Sequence, residues 1–237
     1  MNEKMDILGM ALLDFLNGNA DSSLEVCSED FENDFMDISY YFRDFDSMPE
    51  IEKRALESVK GKVLEIGAGA GSHSLYLSKQ GYDIHSLDIS PGAVEVMRSR
   101  GLQNIRCADI YNLKEEKYDS LLLLMNGIGI AGSLAELPGF LNHLFSLLND
   151  EGQIIFDSTD LRYLYEEEDG SFYLDLNAHY YGELKFRYRY NKEFGDWFPW
   201  LYVDADKLSE IVSNLGYTME VLALEDDYHY LAKLTHS

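Results

Sequence analysis

Val63-Leu64-Glu65-Ile66-Gly67-Ala68-Gly69-Ala70-Gly71 is an apolar run that enters a turn with glycine at every second position. Val63 to Ile66 reads as a strand, and Gly71 to Lys79 as the helix that leaves the turn. Glycines so placed let the backbone bend sharply, and they let a ligand approach main-chain atoms that a Cβ would shield. A small ligand is therefore expected at this turn.

Outward from the turn, short apolar runs alternate with helical stretches, which is the signature of an α/β fold. Asp83 to Leu87, Ile105 to Ala108, Ser120 to Met125 and Gln153 to Phe156 read as further strands, several apolar on both faces as buried parallel strands are. Between them, Ser90-Pro91 caps and opens a helix to Arg100, and Ser133 to Leu148 forms another. After Asp160 the rhythm changes. Leu184, Phe186, Tyr188 and Tyr190 alternate with Lys185, Arg187 and Arg189, and a second aromatic run, Trp197 to Tyr202, follows Gly195, so a β-hairpin is expected. A helix from about Asp204 to Leu215 leads to a closing strand pair, Thr218 to Leu224 and His229 to Leu234.

Local charge separates the ligands that suit a glycine turn. A pyrophosphate is drawn to a helix N-terminus but repelled by a carboxylate beside it, and Glu65 is such a carboxylate. Glu65 suits an ammonium or sulfonium group instead. The dinucleotide fingerprint also wants a glycine where Ser72 stands. Asp88, 21 residues after Gly67 at a strand end, can accept hydrogen bonds from both hydroxyls of a ribose. Asp109 ends the next strand, where it can receive an adenine amino group, with Ile89 and Ile110 covering the faces of the ring. Taken singly, each acid also suits a helix cap or a solvated loop.

Glu65-Ile66-Gly67-Ala68-Gly69-Ala70-Gly71, then Asp88, then Ala108-Asp109, resemble the successive motifs of the class I S-adenosylmethionine-dependent methyltransferases. The likeness covers about residues 61–160. It implies a three-layer, Rossmann-like, seven-stranded sheet whose last strand runs antiparallel, S-adenosyl-L-methionine as cofactor and S-adenosyl-L-homocysteine as product. It also implies that Gly67, Gly69 and Gly71 hold the amino acid moiety, Asp88 the ribose and Asp109 the adenine, with Ala68 of the same turn also at the cofactor. Tyr40-Tyr41-Phe42-Arg43 through Met48-Pro49, with Asn126-Gly127-Ile128-Gly129, is similar to a subgroup of uncharacterised bacterial methyltransferases. Tyr41 is expected to close over the cofactor or to pack on a helix. Asn126 is expected at the cofactor, opening a glycine-rich loop that passes close to the sulfonium and leaves room for an acceptor, and His73 is expected to pack or hydrogen-bond near the cofactor.

The chain has 237 residues, with 43 acidic against 19 basic side chains and a formal charge of −24. Such a surface repels phosphate backbones and anionic headgroups, so neither nucleic acid nor membrane is an expected partner. Cys27 and Cys107 have no metal-ligand spacing around them; no metal site and a reduced, cytoplasmic setting are expected. Residues 1–50 hold 13 of the acids and two bases. Residues 1–60 are read as an acidic helical cap or lid, with helices at Ile7 to Leu16 and, from a Ser47 capping box, to Val59. Residues 61–237 are read as the methyltransferase domain, with a hairpin insert at about 170–203.

Methyl transfer from a sulfonium needs alignment and exclusion of water more than it needs a base. Catalytic residues are therefore left unassigned. Asp157, Asp160, His179, Tyr180 and Tyr181 are the available bases if the acceptor must lose a proton. Lys185, Arg187 and Arg189 suit either an acidic acceptor or a charged edge strand. Phe186, Tyr188, Trp197, Phe198 and Trp200 suit a core or a homodimer interface rather than a recognition surface, and the oligomeric state is left open. The expected activity is methyl transfer to a small-molecule acceptor. A nicotinamide-dependent oxidoreductase and a non-catalytic S-adenosylmethionine-binding module are the alternatives.

Overall fold

The computed structural model describes residues 5–19, 23–114, 116–165, 179–226 and 228–237. The chain opens with helix α1 (Ile7–Leu16), a strand pair β1 (Ser23–Ser28) and β2 (Asp34–Asp37), two 3-10 turns (Ile38–Phe42 and Phe45–Ser47) and helix α2 (Glu50–Ser58). The alternating part follows: β3 (Lys62–Ile66), α3 (Ser72–Lys79), β4 (Asp83–Asp88), α4 (Pro91–Ser99), β5 (Ile105–Cys107), β6 (Tyr118–Leu123), α5 (Leu137–Ser146) and β7 (Leu148–Thr159). Strands β8 (Glu183–Tyr190), β9 (Glu193–Phe194) and β10 (Phe198–Leu201) precede helix α6 (Ala205–Asn214), and β11 (Tyr217–Glu225) and β12 (His229–His236) close the chain.

The central sheet has the order β11-β12-β7-β6-β3-β4-β5. Strands β3 to β7 are mutually parallel, while β12 runs antiparallel to both β7 and β11. The expected seven-stranded α/β sheet with an antiparallel last strand is found. Its order reverses at β3, whose neighbours are β4 and β6. In an open α/β sheet the crevice outside the carboxyl ends of the strands at such a reversal is where ligands bind. The Gly67 turn leaves β3 at that point.

Two apolar layers clasp the sheet. Phe140, Leu141, Leu144, Leu208 and Val212 of α5 and α6 pack with Leu121, Leu123, Ile154 and Phe156. Ile51, Ala55 and Leu56 of α2 and Leu77 of α3 meet Val63, Leu122, Ile155 and Leu231 on the other side. Two helix starts differ from the sequence reading. Pro138 stands in the first turn of α5, which begins at Leu137, and Gly127–Ala131 before it is a 3-10 turn; a proline is favoured in a first turn because it has no N–H to lose. Ser47 does not cap α2. Pro49 is the N-cap residue, with no side-chain cap, and the Ser47 N–H donates instead to Asp44 Oδ1 at 3.1 Å.

The first 60 residues are not helical throughout. Strand β1 pairs antiparallel with β2 on one side and with β8 on the other, and β8 also pairs with β10. The N-terminal acidic segment and the expected hairpin therefore share a second sheet, of order β10-β8-β1-β2. Strand β8 is interior, so Lys185, Arg187 and Arg189 do not guard an edge. Lys185 Nζ lies 3.3 Å from Glu29 Oε2 and Arg189 Nη1 2.8 Å from Glu25 Oε2, while the Arg187 guanidinium lies over the rings of Phe194 and Trp197. Part of the insert, residues 170–178, lies outside the described residues.

Candidate active site

Gly67, Gly69 and Gly71 all have left-handed φ, at 74°, 55° and 79°. The turn is tied to the end of β4, because the N–H groups of Gly67 and Ala68 donate to Leu87 O at 2.9 and 3.1 Å. The Gly69 N–H donates to Asp88 Oδ2 at 2.8 Å, and the other Asp88 oxygen accepts from Ser90 N at 2.8 Å. Each glycine answers a different neighbour. A Cβ on Gly71 would lie 2.6 Å from Leu102 Cδ1, so that position serves helix packing. A Cβ on Gly69 would lie 3.0 Å from the Tyr41 ring. Tyr41 thus covers the turn, and the Ser72 hydroxyl donates to its carbonyl at 2.6 Å.

Beside the turn lies a cleft of about 20 Å³, lined among others by Tyr41, Arg43, Gly67, Gly69, His73 and Met125. That is room for one water molecule. Beneath it runs a line of buried charge that links the N-terminal segment to α3. Arg43 pairs with Glu52, His73 Nε2 meets Glu52 Oε2 at 2.9 Å, and His73 Nδ1 meets Glu65 Oε1 at 2.8 Å. The Ser74 hydroxyl donates to the other Glu65 oxygen. Burial favours a neutral His73 ring, but the hydrogen bonds and charges of Glu52 and Glu65 outweigh it and raise the pKa to about 9. Two cations and two carboxylates therefore balance in the interior, as buried charges must.

This changes the role read for Glu65. It is 2% exposed, and both oxygens are committed to His73 and Ser74, so it does not offer a free carboxylate to a cationic ligand. Asp88 is 7% exposed, and burial, against the hydrogen bonds from Ser90 and Gly69, lifts its pKa to about 6. Asp109 caps the 3-10 turn Ile110–Asn112, accepting from Tyr111 N at 3.0 Å. Ile89 is 69% exposed, whereas Ile110 is buried in the core, so the two isoleucines are not equivalent walls.

At the end of β6, Met125 and Asn126 are both left-handed, with φ of 61° and 57°. The second glycine of the loop that follows has a packing reason: a Cβ on Gly129 would lie 2.2 Å from Trp200 Nε1. The Asn126 N–H donates to Asp157 Oδ2 at 2.9 Å, and His229 Nε2 meets the same oxygen at 2.7 Å. The other base candidates divide. His179 is on the surface, with its side chain 96% exposed. Tyr181 donates to Asp160 at 2.8 Å, Tyr180 donates to Asp204, and Asp204 caps α6, so this group holds loop to helix. Arg43, Glu52 and His229 were not among the residues expected here. Arg43 stands in the quoted Tyr40-Tyr41-Phe42-Arg43 without a role read for it, and nothing in the local pattern marks Glu52 inside a helix or His229 at a strand start.

A methyltransferase-domain family model matches residues 41–222. The chain is similar over 98% of its length, at 39% identity and a TM-score of 0.91, to an S-adenosylmethionine-dependent methyltransferase from Bacteroides fragilis solved in complex with S-adenosyl-L-homocysteine, of which 95% is covered. It is also similar in fold to the methyltransferase CcbJ from Streptomyces caelestis (14% identity, 81% of this chain and 94% of that one, TM-score 0.59). The DhpI complex with S-adenosyl-L-homocysteine is a third likeness of fold (17%, 98% and 98%, 0.57). No curated protein matches by sequence.

Proposed function

The chain belongs to the class I S-adenosylmethionine-dependent methyltransferases, and on that premise we propose that it moves the methyl group of S-adenosylmethionine to a small-molecule acceptor. Membership removes the nicotinamide-dependent alternative. The observation that carries the site assignment is the left-handed glycine turn fastened to Leu87 and Asp88 where the strand order reverses.

The residues present fit the cofactor. Gly67, Ala68 and Gly69 present main chain shielded by no more than a methyl group of their own, with the Tyr41 ring standing over Gly69. Asp88 keeps lone pairs free for ribose hydroxyls beyond its two backbone bonds. Ile89 presents an open apolar face to adenine, and Asp109 stands at the neighbouring strand end for its amino group. Arg43, quoted in the sequence motif but given no role there, adds a cationic group. Its side chain is 7% exposed, it lines the cleft, and its Nε–H is buried with no partner among the described residues. An N–H in that state is suited to a carboxylate, and the methionine moiety carries one. When bound, S-adenosylmethionine supplies an activated methyl group on sulfur. The chain's task is to align it and keep water out. Tyr41 stands over Gly69 at the turn assigned to the methionine moiety, so its ring gives way when the cofactor binds.

Calorimetry with S-adenosylhomocysteine tests this reading. Binding is expected in the wild type and, weakened at least tenfold, in R43Q, while 5′-methylthioadenosine, which has no methionine carboxylate, binds both proteins alike. Absence of wild-type binding overturns the cofactor site; an equal loss for both ligands in R43Q removes only the role of Arg43.

Among the described residues no helix is long and apolar enough to cross a membrane, and no group of side chains is arranged to hold a metal. The strongly negative surface favours small acceptors over nucleic acid or membrane.

A further inference from the structure

Asp157, near the end of β7, is 1% exposed and uses only one of its two oxygens. Oδ2 accepts from Asn126 N at 2.9 Å and lies 2.7 Å from His229 Nε2; Oδ1 is buried with no partner among the described residues. A carboxylate oxygen left so forfeits its hydration without return, and such a group calls for a missing donor.

Two further observations say where that donor comes from. Met125 lines the cleft beside Gly67, and the next residue, Asn126, holds Asp157. Both residues are held in left-handed conformations that non-glycine residues seldom adopt, and the Thr159 hydroxyl fixes the Asn126 side chain at 2.8 Å. Asp157 is thus one short turn from the cofactor cleft. The second observation is charge. Burial raises the Tyr40 phenol, Arg43 opposes this, and Glu52, Asp157 and Glu225 raise it further. Burial lowers the His229 pKa, but Asp157, Glu225 and Glu52 outweigh it and raise it. Glu52, already paired with Arg43 and His73, and Glu225 add negative potential, while Arg43 and the His229 ring offset it, so the unpaired Asp157 Oδ1 at the strand end beside the cleft is what calls for a donor.

We propose that this is the acceptor subsite, that Asp157 Oδ1 receives the acceptor nitrogen, and that the acceptor is an amine. The proposal rests on the cofactor reading above. The amine reacts as its free base: its lone pair forms the C–N bond while the C–S bond breaks, the electron pair of that bond stays on sulfur, and the positive charge passes from sulfur to nitrogen. A fixed carboxylate beside the nitrogen stabilises that charge as it develops. His229 is a positioning residue, which holds Asp157 and, when protonated, offsets its charge.

Sinefungin, the cofactor analogue with an ammonium where the methyl group stands, tests the proposal. At pH 7 the wild type is expected to bind it at least fivefold more tightly than S-adenosylhomocysteine. In D157N the ratio falls to twofold or less, with affinity for S-adenosylhomocysteine within twofold of wild type. A wild-type ratio below fivefold, or a D157N ratio above twofold, overturns the proposal. Should D157N fail to bind S-adenosylhomocysteine, H229Q decides: glutamine keeps a donor for Asp157 and removes the imidazolium, so at pH 6 the ratio must exceed that of wild type, and an unchanged or lower ratio overturns the proposal. Failure of wild type to bind S-adenosylhomocysteine removes the cofactor reading and the amine site together, an outcome distinct from the rest.

Discussion

His73 Nε2 lies 2.9 Å from Glu52 Oε2, and through that contact the helix leaving the glycine turn is fastened to the second helix of the N-terminal segment. Because the other ring nitrogen meets Glu65 at 2.8 Å, the imidazole is held between two carboxylates, and Glu52 is in turn neutralised by Arg43. The cap over the cleft and the floor of the cleft share one charge network.

The network makes stability depend on pH. His73 has a folded pKa of about 9 against about 6.5 in the unfolded chain, so its stabilisation is complete below about pH 6.5 and is lost as pH rises through 9. Urea unfolding of the wild type is expected to lose on the order of 3 kcal/mol across that window. H73Q should be less stable at pH 6.5 and should lack most of that slope. An equal slope in both proteins assigns the effect to other groups.

Asp88 carries the opposite sign from an ion-paired carboxylate. Its raised pKa, about 6, means that its contribution to stability is present below the unfolded value near 4 and lost as pH rises through 6, so the charged form is costly to the folded protein. A ribose that donates to the charged form recovers part of that cost. Affinity for S-adenosylhomocysteine is expected to weaken about tenfold from pH 7.5 to pH 5. D88N should lose about 1–3 kcal/mol of binding at pH 7.5 and show a flat profile. Calorimetry across the range checks both.

Gly129 is set by Trp200 rather than by a ligand. G129A drives a methyl group to 2.2 Å from the indole nitrogen, and overpacking of this kind costs about 1–3 kcal/mol. Urea unfolding should show that loss while affinity for S-adenosylhomocysteine stays within twofold. A large loss of affinity with stability unchanged would place the glycine in the cleft instead.

The glycine turn, the strand ends that carry Asp88 and Asp109, and the α/β rhythm were legible because each is local. A left-handed turn demands glycine within a few residues, and a buried parallel strand demands a continuous apolar run. The acids of residues 1–50 were legible as an excess but not in purpose. Glu25 and Glu29 meet Arg189 and Lys185 from more than 150 positions along the chain, across a pairing of β1 with β8 that no local pattern announces. Glu65 misled for the same reason: its spacing from the glycines suggested a ligand, and the partner that occupies it, His73, is positioned by a helix turn and by Glu52 from another segment.

Periodicity and turn chemistry thus specify the central strands and the glycine turn, since these depend on neighbours in the chain, and the motifs at their ends carried the resemblance to the family. The identity of each charged group's partner depends on which distant surfaces the packed core brings within hydrogen-bond reach. Arg43, Glu52, Asp157 and His229 acquire their roles only there, because burial removes water as a partner and leaves each of them the few groups that folding has delivered.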